Sequence, residues 1–203
     1  VEALAEEGLA ALSMCPSSSF VAPAGGKEPL LGTNPMAFGW PRSGAHPYVF
    51  DFATSVAARG EIELHRRAGT PIPEGWAVDE NGAPTTDPEA ALRGSLCSAG
   101  GYKGWGFGLM AELMAAAMTG SVNSLDVGGL KLPDGPPHRL GQMYLVMDTG
   151  TFTDQFGARF ARLAEAVAED EGARLPGQGR VAAEAVDVPD ALWEASRRLA
   201  GHA

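Results

Sequence analysis

The chain has 203 residues, enough for one large domain or two small ones with a sizeable core. Hydrophobic residues make up 45% and charged residues 20%, an ordinary balance for a soluble protein, and the formal charge of −10 argues against a general nucleic-acid or anionic-membrane surface. No apolar run is long enough to span a bilayer, since the most apolar helix, around Leu109 to Met118, is short and carries Glu112.

Cys15 and Cys97 form neither a metal-ligand spacing nor a disulfide framework. With no signal-peptide pattern, two reduced thiols in a cytoplasmic protein are expected. His46, His65, His138 and His202 are scattered, so no zinc site is expected.

In chain order, Val1 to Gly8 reads as the last turns of a helix closed by glycine, as though the chain starts inside an element. Leu9 to Met14 then reads as a buried strand, and a helix followed by a strand is an α/β step. Cys15 to Ser19 is a polar strand end, either a ligand site or a solvated serine turn. After a glycine loop, Gly32-Thr33-Asn34-Pro35 predicts a turn and Met36 to Phe38 a strand; Thr33 either meets a bound oxyanion or caps. Tyr48 to Phe52 is a strand with Asp51 near its end. There Asp51 can hold a ligand group or satisfy the turn's own N–H groups. Val56 to Arg67 is predicted helical, capped by Thr54 or Ser55, with Arg59, Glu61, Glu63, Arg66 and Arg67 as a charged solvent face.

Gly69 to Pro88 is a long irregular segment with a tight-turn signal at Asn81-Gly82, and Trp76 and Ile72 argue that it is ordered. Asp87-Pro88 opens a short capped helix. Gly100-Gly101-Tyr102-Lys103-Gly104 then leads directly into an apolar helix that runs to Gly120. Two readings stand open here. Bare backbone, a helix N-terminus and one ammonium suit an anion such as phosphate, or the stretch is a tight turn with Lys103 in solvent. Ser121 to Arg139 reads as a proline- and glycine-rich excursion. A strand over Gln142 to Asp148 follows. A helix from Thr151 to Glu171 presents Phe156, Phe160, Leu163 and Val167, and a last helix from Pro189 to Leu199 packs through Leu192, Trp193, Ser196 and Leu199.

No window reads G-x-G-x-x-G, G-x-x-x-x-G-K-[ST] or G-x-S-x-G, so a nucleotide site would be built in another way. The ordered set Gly32-Thr33-Asn34-Pro35, Asp51-Phe52-Ala53-Thr54-Ser55, Pro73 to Asp79, Gly82 to Thr86 and Gly100 to Gly104 resembles the malate/L-lactate dehydrogenase family. That family includes ureidoglycolate dehydrogenase, sulfolactate dehydrogenase and the piperideine/pyrroline-2-carboxylate reductases. The resemblance implies an α/β (α+β) fold, a mixed sheet with flanking helices that binds NAD or NADP without a Rossmann domain. It implies a cofactor-binding domain over residues 1–150, with helices over 151–203 packing on an N-terminal or dimerisation part.

It further implies that Asp51, Phe52, Ala53 and Lys103 bind the cofactor, with Ser17 on the nicotinamide side. Thr33, Arg59 and Gly60 fall on the substrate side, and Glu61 matches an acid that moves protons in the imino-acid reductases. The implied reaction is hydride transfer between nicotinamide and a small 2-oxo or 2-hydroxy acid in a homodimer. The family's catalytic histidine and substrate-binding arginine belong to an N-terminal region that nothing in this chain resembles. Gly141-Gln142-Met143 replaces a Gly-His pair, and Pro176 to Arg180 departs from a glutamate-bearing loop. The chain thus reads as the cofactor part of such an enzyme, the alternative being an inactive fragment or a binding or oligomerisation module.

Overall fold

The structure is a computed structural model that describes residues 1–128, 137–178 and 185–201. Its helices and strands interleave as the α/β reading expects. The opening helix α1 (Glu2–Glu6) is short, and Gly8, at φ 84°, turns the chain from it into β1 (Leu9–Met14). The strands β2 (Met36–Trp40) and β3 (Tyr48–Phe52) follow, then three two-residue strands, β4 (Ala77–Val78), β5 (Pro84–Thr85) and β6 (Ser95–Leu96), and finally β7 (Met143–Asp148). A four-stranded sheet has the order β3-β2-β1-β7 and a three-stranded sheet the order β5-β4-β6. Every pair within these sheets is antiparallel, while an isolated bridge from Val21 to Leu96 is parallel.

The register of the larger sheet explains its burial. Met143, Met14, Met36 and Phe52 fall in one row across the four strands. Because side chains alternate across a pleated strand, they share one face. That face packs on Ala111 and Ala115 of the glycine-led helix. Phe38, Phe50 and Phe52 stack beside them, with Phe50 and Phe52 centroids 5.0 Å apart. The opposite face takes α1, and it can approach because Gly39 has no side chain: a Cβ there would lie 2.6 Å from the Val1 carbonyl oxygen.

A second core gathers Val21, Ile62, Ile72, Ala77, Ala91 and Leu96, closed by Phe20, Trp76, Leu92 and Trp105. It lies under α2 (Arg59–Ala68) and α3 (Pro88–Arg93). One expectation needs correction here. Neither Thr54 nor Ser55 caps α2: the N-cap is Ala58 without a side-chain bond, because Thr54 Oγ1 donates to the Thr33 carbonyl and Ser55 Oγ to the Ala57 carbonyl. The segment from Gly69 to Pro88 is mostly irregular, as expected, but contains the short β4–β5 hairpin, its turn held by Asp79 Oδ1, which accepts from Asn81 N and Ala83 N. The Asp87 cap of α3 is as expected: its carboxylate accepts from Glu89 N and Ala90 N, with Pro88 in the first turn.

The glycine-led helix α4 (Tyr102–Glu112) passes into one π-helical turn over Leu113–Ala117 and ends there, a turn short of Gly120, φ 71°. Of the expected excursion from Ser121 to Arg139, residues 129–136 lie outside the described residues, whereas Ser124 opens a 3-10 turn with its side chain fully buried. The predicted helix over 151–171 is two elements, α5 (Thr149–Phe152) and α6 (Phe156–Glu169), with Asp148 capping the first through Gly150 N. Phe156 stacks on Trp40 at 5.7 Å and Phe160 meets Tyr48 at 5.6 Å, so α6 rests on the β2–β3 hairpin. Leu192, Trp193 and Leu199 of α7 (Asp190–Leu199) are exposed, so the expected packing side of the last helix is uncovered in this chain. Gly179 and Arg180 of the departing loop lie outside the described residues.

Candidate functional site

Three sequence-distant stretches meet where β1 ends, β2 begins and β3 ends. Ser17 Oγ accepts from Thr33 N at 3.0 Å and lies 3.4 Å from Thr33 Oγ1. The Thr33 carbonyl accepts from both Thr54 N, at 2.8 Å, and Thr54 Oγ1, at 2.9 Å. The Thr54 carbonyl in turn accepts from Ala99 N at 2.9 Å. Ala99 immediately precedes the Gly100-Gly101 turn into α4. The predicted nicotinamide-side serine, the substrate-side threonine and the start of the glycine-led helix are therefore joined through a short chain of hydrogen bonds. Phe52 and Ala53 lead directly into it.

The start of α4 has the properties an anion requires. Gly100 and Gly101 both have φ 65°, and the space where their Cβ atoms would stand is open. No side chain caps the N-cap Gly101, and Lys103 is exposed in the first turn. Uncapped N–H groups, the positive end of the helix dipole and one ammonium together suit a phosphate. Gly104 is required for a different reason. A Cβ there would lie 2.0 Å from the Ala99 carbonyl oxygen, so the turn and the helix touch backbone to backbone.

Asp51 stands elsewhere. Its neighbour Phe52 faces α4, so alternation puts Asp51 on the other face of the sheet, in register with Ala37. There it borders a cleft of about 390 Å³ with Tyr48, Val49, Gly177 and Gln178, and it makes a further interaction of its own. None of the five main clefts among the described residues is lined by both Asp51 and Lys103.

Arg59 and Gly60 border a cleft of about 890 Å³, together with Ser18, Phe20 and Glu63. Arg59 lies with Cζ 4.7 Å above the Phe20 ring and donates to the Leu92 carbonyl at 2.9 Å. Burial lowers its pKa from the ordinary value, against the smaller opposing pull of Glu63. The Ser18 hydroxyl is buried without a protein partner at this wall. On the outer wall, Glu63 binds Arg66 at 2.6 Å and Arg67 at 3.1 Å, and Arg66 first and Arg67 second hold its carboxyl at about 2. Glu61, Arg66 and Arg67 are exposed, as the charged solvent face expected, while Arg59 and Glu63 are half-buried; Arg59, Glu63, Arg66 and Arg67 also border the cleft. Glu61 is exposed in the first turn of α2 and is not among its lining residues.

Sequence reasoning missed the polar group directly behind Ser17. Asn34, fully buried and at φ 33°, accepts from Ser17 N and donates to Glu112, itself buried in α4. The signal was Asn34 inside a tag read only as a turn, and a lone carboxylate in an apolar helix. Both thiols, Cys15 and Cys97, are pushed up by burial, so neither is primed as a thiolate nucleophile. Among the described residues there is no group of three or more side chains suited to a metal ion, and no helix is long and apolar enough to cross a membrane.

Comparison with known proteins bears on the family and the fold. The profile of the malate/L-lactate dehydrogenase family matches residues 1–195. The chain is 51% identical to the Δ1-pyrroline-2-carboxylate reductase of Agrobacterium fabrum, over 99% of this chain and 59% of that protein. It is 43% identical to the (2R)-3-sulfolactate dehydrogenase (NADP+) of Chromohalobacter salexigens, over 98% of this chain and 62% of that protein. Among solved structures, the Δ1-piperideine-2-carboxylate reductase of Pseudomonas syringae superposes with a TM-score of 0.86 at 39% identity, covering 98% of this chain and 62% of that one. The sulfolactate dehydrogenase of Methanocaldococcus jannaschii superposes with a TM-score of 0.83 at 26% identity, covering 98% and 61%. The chain thus spans about three fifths of the length of these relatives, from 59% to 62%. With the profile matched over residues 1–195 and the fold shared, the chain belongs to the malate/L-lactate dehydrogenase family.

Proposed function

We propose that this chain forms the cofactor-binding part of an oxidoreductase that moves hydride between NAD or NADP and C2 of a small carboxylic acid. Small 2-oxo, 2-hydroxy and cyclic imino acids, all reacting at the carbon beside the carboxylate, are the broad class, and the cyclic imino acids are favoured within it. That preference is supported by relatives named as Δ1-pyrroline-2-carboxylate reductases, among them the Agrobacterium fabrum protein at 51% identity and the Ancylobacter novellus protein at 45%. The single observation that carries the reading is the hydrogen-bonded junction of Ser17, Thr33 and Thr54 with Ala99, at the mouth of the uncapped α4.

The nicotinamide cofactor, when bound, supplies the hydride. In this reading the N–H groups at the start of α4 and the Lys103 ammonium hold its phosphates, with Phe52 and Ala53 beside them at the end of β3; Asp51, on the other face of the sheet, is a cofactor contact by resemblance alone. Ser17 and Thr33 fix the nicotinamide side and the substrate side of one boundary. Arg59 and Gly60 orient the acid, with the guanidinium already partly dehydrated and so suited to a carboxylate. Glu61 is the proton-transfer group by resemblance. Residues 1–150 form the cofactor domain, and the helices of 151–203 pack on the remaining part of a cytoplasmic homodimer.

The test is a fluorescence titration of the full-length protein with NADH and with NADPH. Losing a charge-assisted contact to phosphate costs about 1.5–3 kcal/mol, so Lys103→Ala weakens binding roughly tenfold to a hundredfold. Asp51→Ala weakens it as well. Unchanged titrations in both variants overturn the site.

A further inference from the structure

We infer that Glu112, acting through Asn34, is a positioning residue that sets Ser17 and Thr33 at the reacting boundary; this rests on the reading under Proposed function. The argument begins with an accounting of hydrogen bonds. Glu112 is 6% exposed and Asn34 and Ser124 fully buried. Glu112 Oε2 accepts from Asn34 Nδ2 at 2.8 Å and from Ser124 Oγ at 2.5 Å, and Oε1 accepts from Ser124 N at 2.6 Å. Three neutral donors therefore satisfy a buried carboxylate, which is the condition for keeping such a group inside a protein.

That arrangement leaves Asn34 one orientation. Its amide nitrogen donates to Glu112 and to the Gly108 carbonyl, at 2.9 Å. Its oxygen must then face the other way, and there it accepts from Ser17 N at 3.1 Å, with Ser124 Oγ 3.4 Å away. A flipped amide would set oxygen against two acceptors and nitrogen against the Ser17 N–H. The carboxylate thus selects the orientation that holds the Ser17 backbone. Ser17 Oγ, so placed, accepts from Thr33 N. The left-handed backbone of Asn34, φ 33°, is uncommon outside glycine, and asparagine tolerates it best. The π-helical turn begins at the residue after Glu112, and such turns recur beside functional sites.

None of these groups reaches the uncapped N-terminus of α4 or Lys103. Ser17 is the nicotinamide-side contact, so a fault in the network is expected chiefly in the chemical step, with the phosphate end of the cofactor undisturbed and its affinity lowered much less than kcat. Glu112→Gln replaces one acceptor by a donor and sets it against N–H or O–H groups. Asn34→Asp sets two carboxylates together. The double variant Asn34→Asp, Glu112→Gln restores a donor–acceptor pair and a single negative charge. Ser124→Ala removes one donor and leaves the Asn34–Glu112 bond in place, so it serves as the mild variant if a single substitution prevents folding.

The experiment uses the full-length protein and two readouts: hydrogen exchange at the Ser17 amide, and kcat set beside the NADPH dissociation constant. Each single variant at Asn34 or Glu112 is expected to speed exchange at Ser17 about tenfold and lower kcat about tenfold, with cofactor affinity within about threefold of the parent. Ser124→Ala gives a smaller change in the same direction, and the double variant returns part of both losses. Parental exchange and kcat in the singles and in Ser124→Ala, or losses that simply add in the double variant, would overturn the inference. If the full-length protein transfers no hydride, the Proposed function fails on its own, and exchange at Ser17 still decides whether Glu112 governs that backbone.

Discussion

A pair of glycine substitutions two residues apart in α4, Gly104→Ala and Gly106→Ala, separates helix propensity from the contact that anchors the helix. Both sites lie in α4, and alanine is favoured over glycine within a helix by up to about 1 kcal/mol. At Gly106 a Cβ would meet nothing within 4 Å, so that gain stands, and the protein should become more stable by about 0.5–1 kcal/mol. At Gly104 the new carbon would lie 2.0 Å from the Ala99 carbonyl oxygen and 2.9 Å from its carbon and nitrogen. No rotamer relieves a Cβ, and ordinary contact needs about 3.5 Å, so the turn must shift by more than about 1 Å. Ala99 N, however, is held to the Thr54 carbonyl at 2.9 Å. Overpacking costs about 1–3 kcal/mol and the strained hydrogen bond about 1 more, which outweighs the propensity gain. Gly104→Ala should therefore destabilise by about 1–3 kcal/mol, and it should also weaken NAD(P)H binding, which Gly106→Ala leaves alone. Urea unfolding and cofactor titration of the full-length variants check both. Two variants that move together, in either direction, refute the claim that Ala99 and Gly104 are in backbone contact.

Two further outcomes follow from the charged groups. Asp87→Ala removes the cap of α3 and should cost about 1 kcal/mol in urea unfolding, with Asp87→Asn nearly silent. The Glu63 carboxyl is held at about 2, first by Arg66 and then by Arg67, so its folded-state value lies below the unfolded one. Its contribution is present above the unfolded range, near 4.3, and fades as pH falls through about 2. The pair is at the surface, so the effect on stability is small and salt-sensitive. A carbon-detected NMR titration should find a Glu63 midpoint near 2, and Arg66→Ala should raise it; a midpoint near 4 in the parent protein contradicts the ion pair.

Local features were legible in the sequence, and features made by distant residues were not. The apolar run of β1 and the Asp87-Pro88 cap each follow from a few neighbouring residues and stand where expected, while the glycine-led helix ends at Ala117, a turn short of the expected stop at Gly120. The strands of the smaller sheet have two residues each, too few for any alternation to show, so their segment read as loop. The cap of α2 was misplaced because the Thr54 hydroxyl donates to the Thr33 carbonyl, far off in sequence, and the Ser55 hydroxyl to the Ala57 carbonyl two residues on. At the site, the individual tags were visible as a family resemblance, yet the bond between Asn34 and Glu112 spans 78 positions and no spacing rule foretells it. Nor does any rule foretell that alternation in β3 sends Asp51 to the face away from α4, although the strand itself was correctly read.

The central claim is that the protein carrying this chain passes hydride from a nicotinamide to C2 of a small carboxylic acid. It is tested most directly by supplying the full-length protein with NADPH or NADH deuterated at C4, together with Δ1-pyrroline-2-carboxylate, and locating the label by NMR. The account predicts deuterium at C2 of the product, with the yield falling in Lys103→Ala. Product that forms without the label, or no product from either cofactor with any 2-oxo or cyclic imino acid offered, would contradict it.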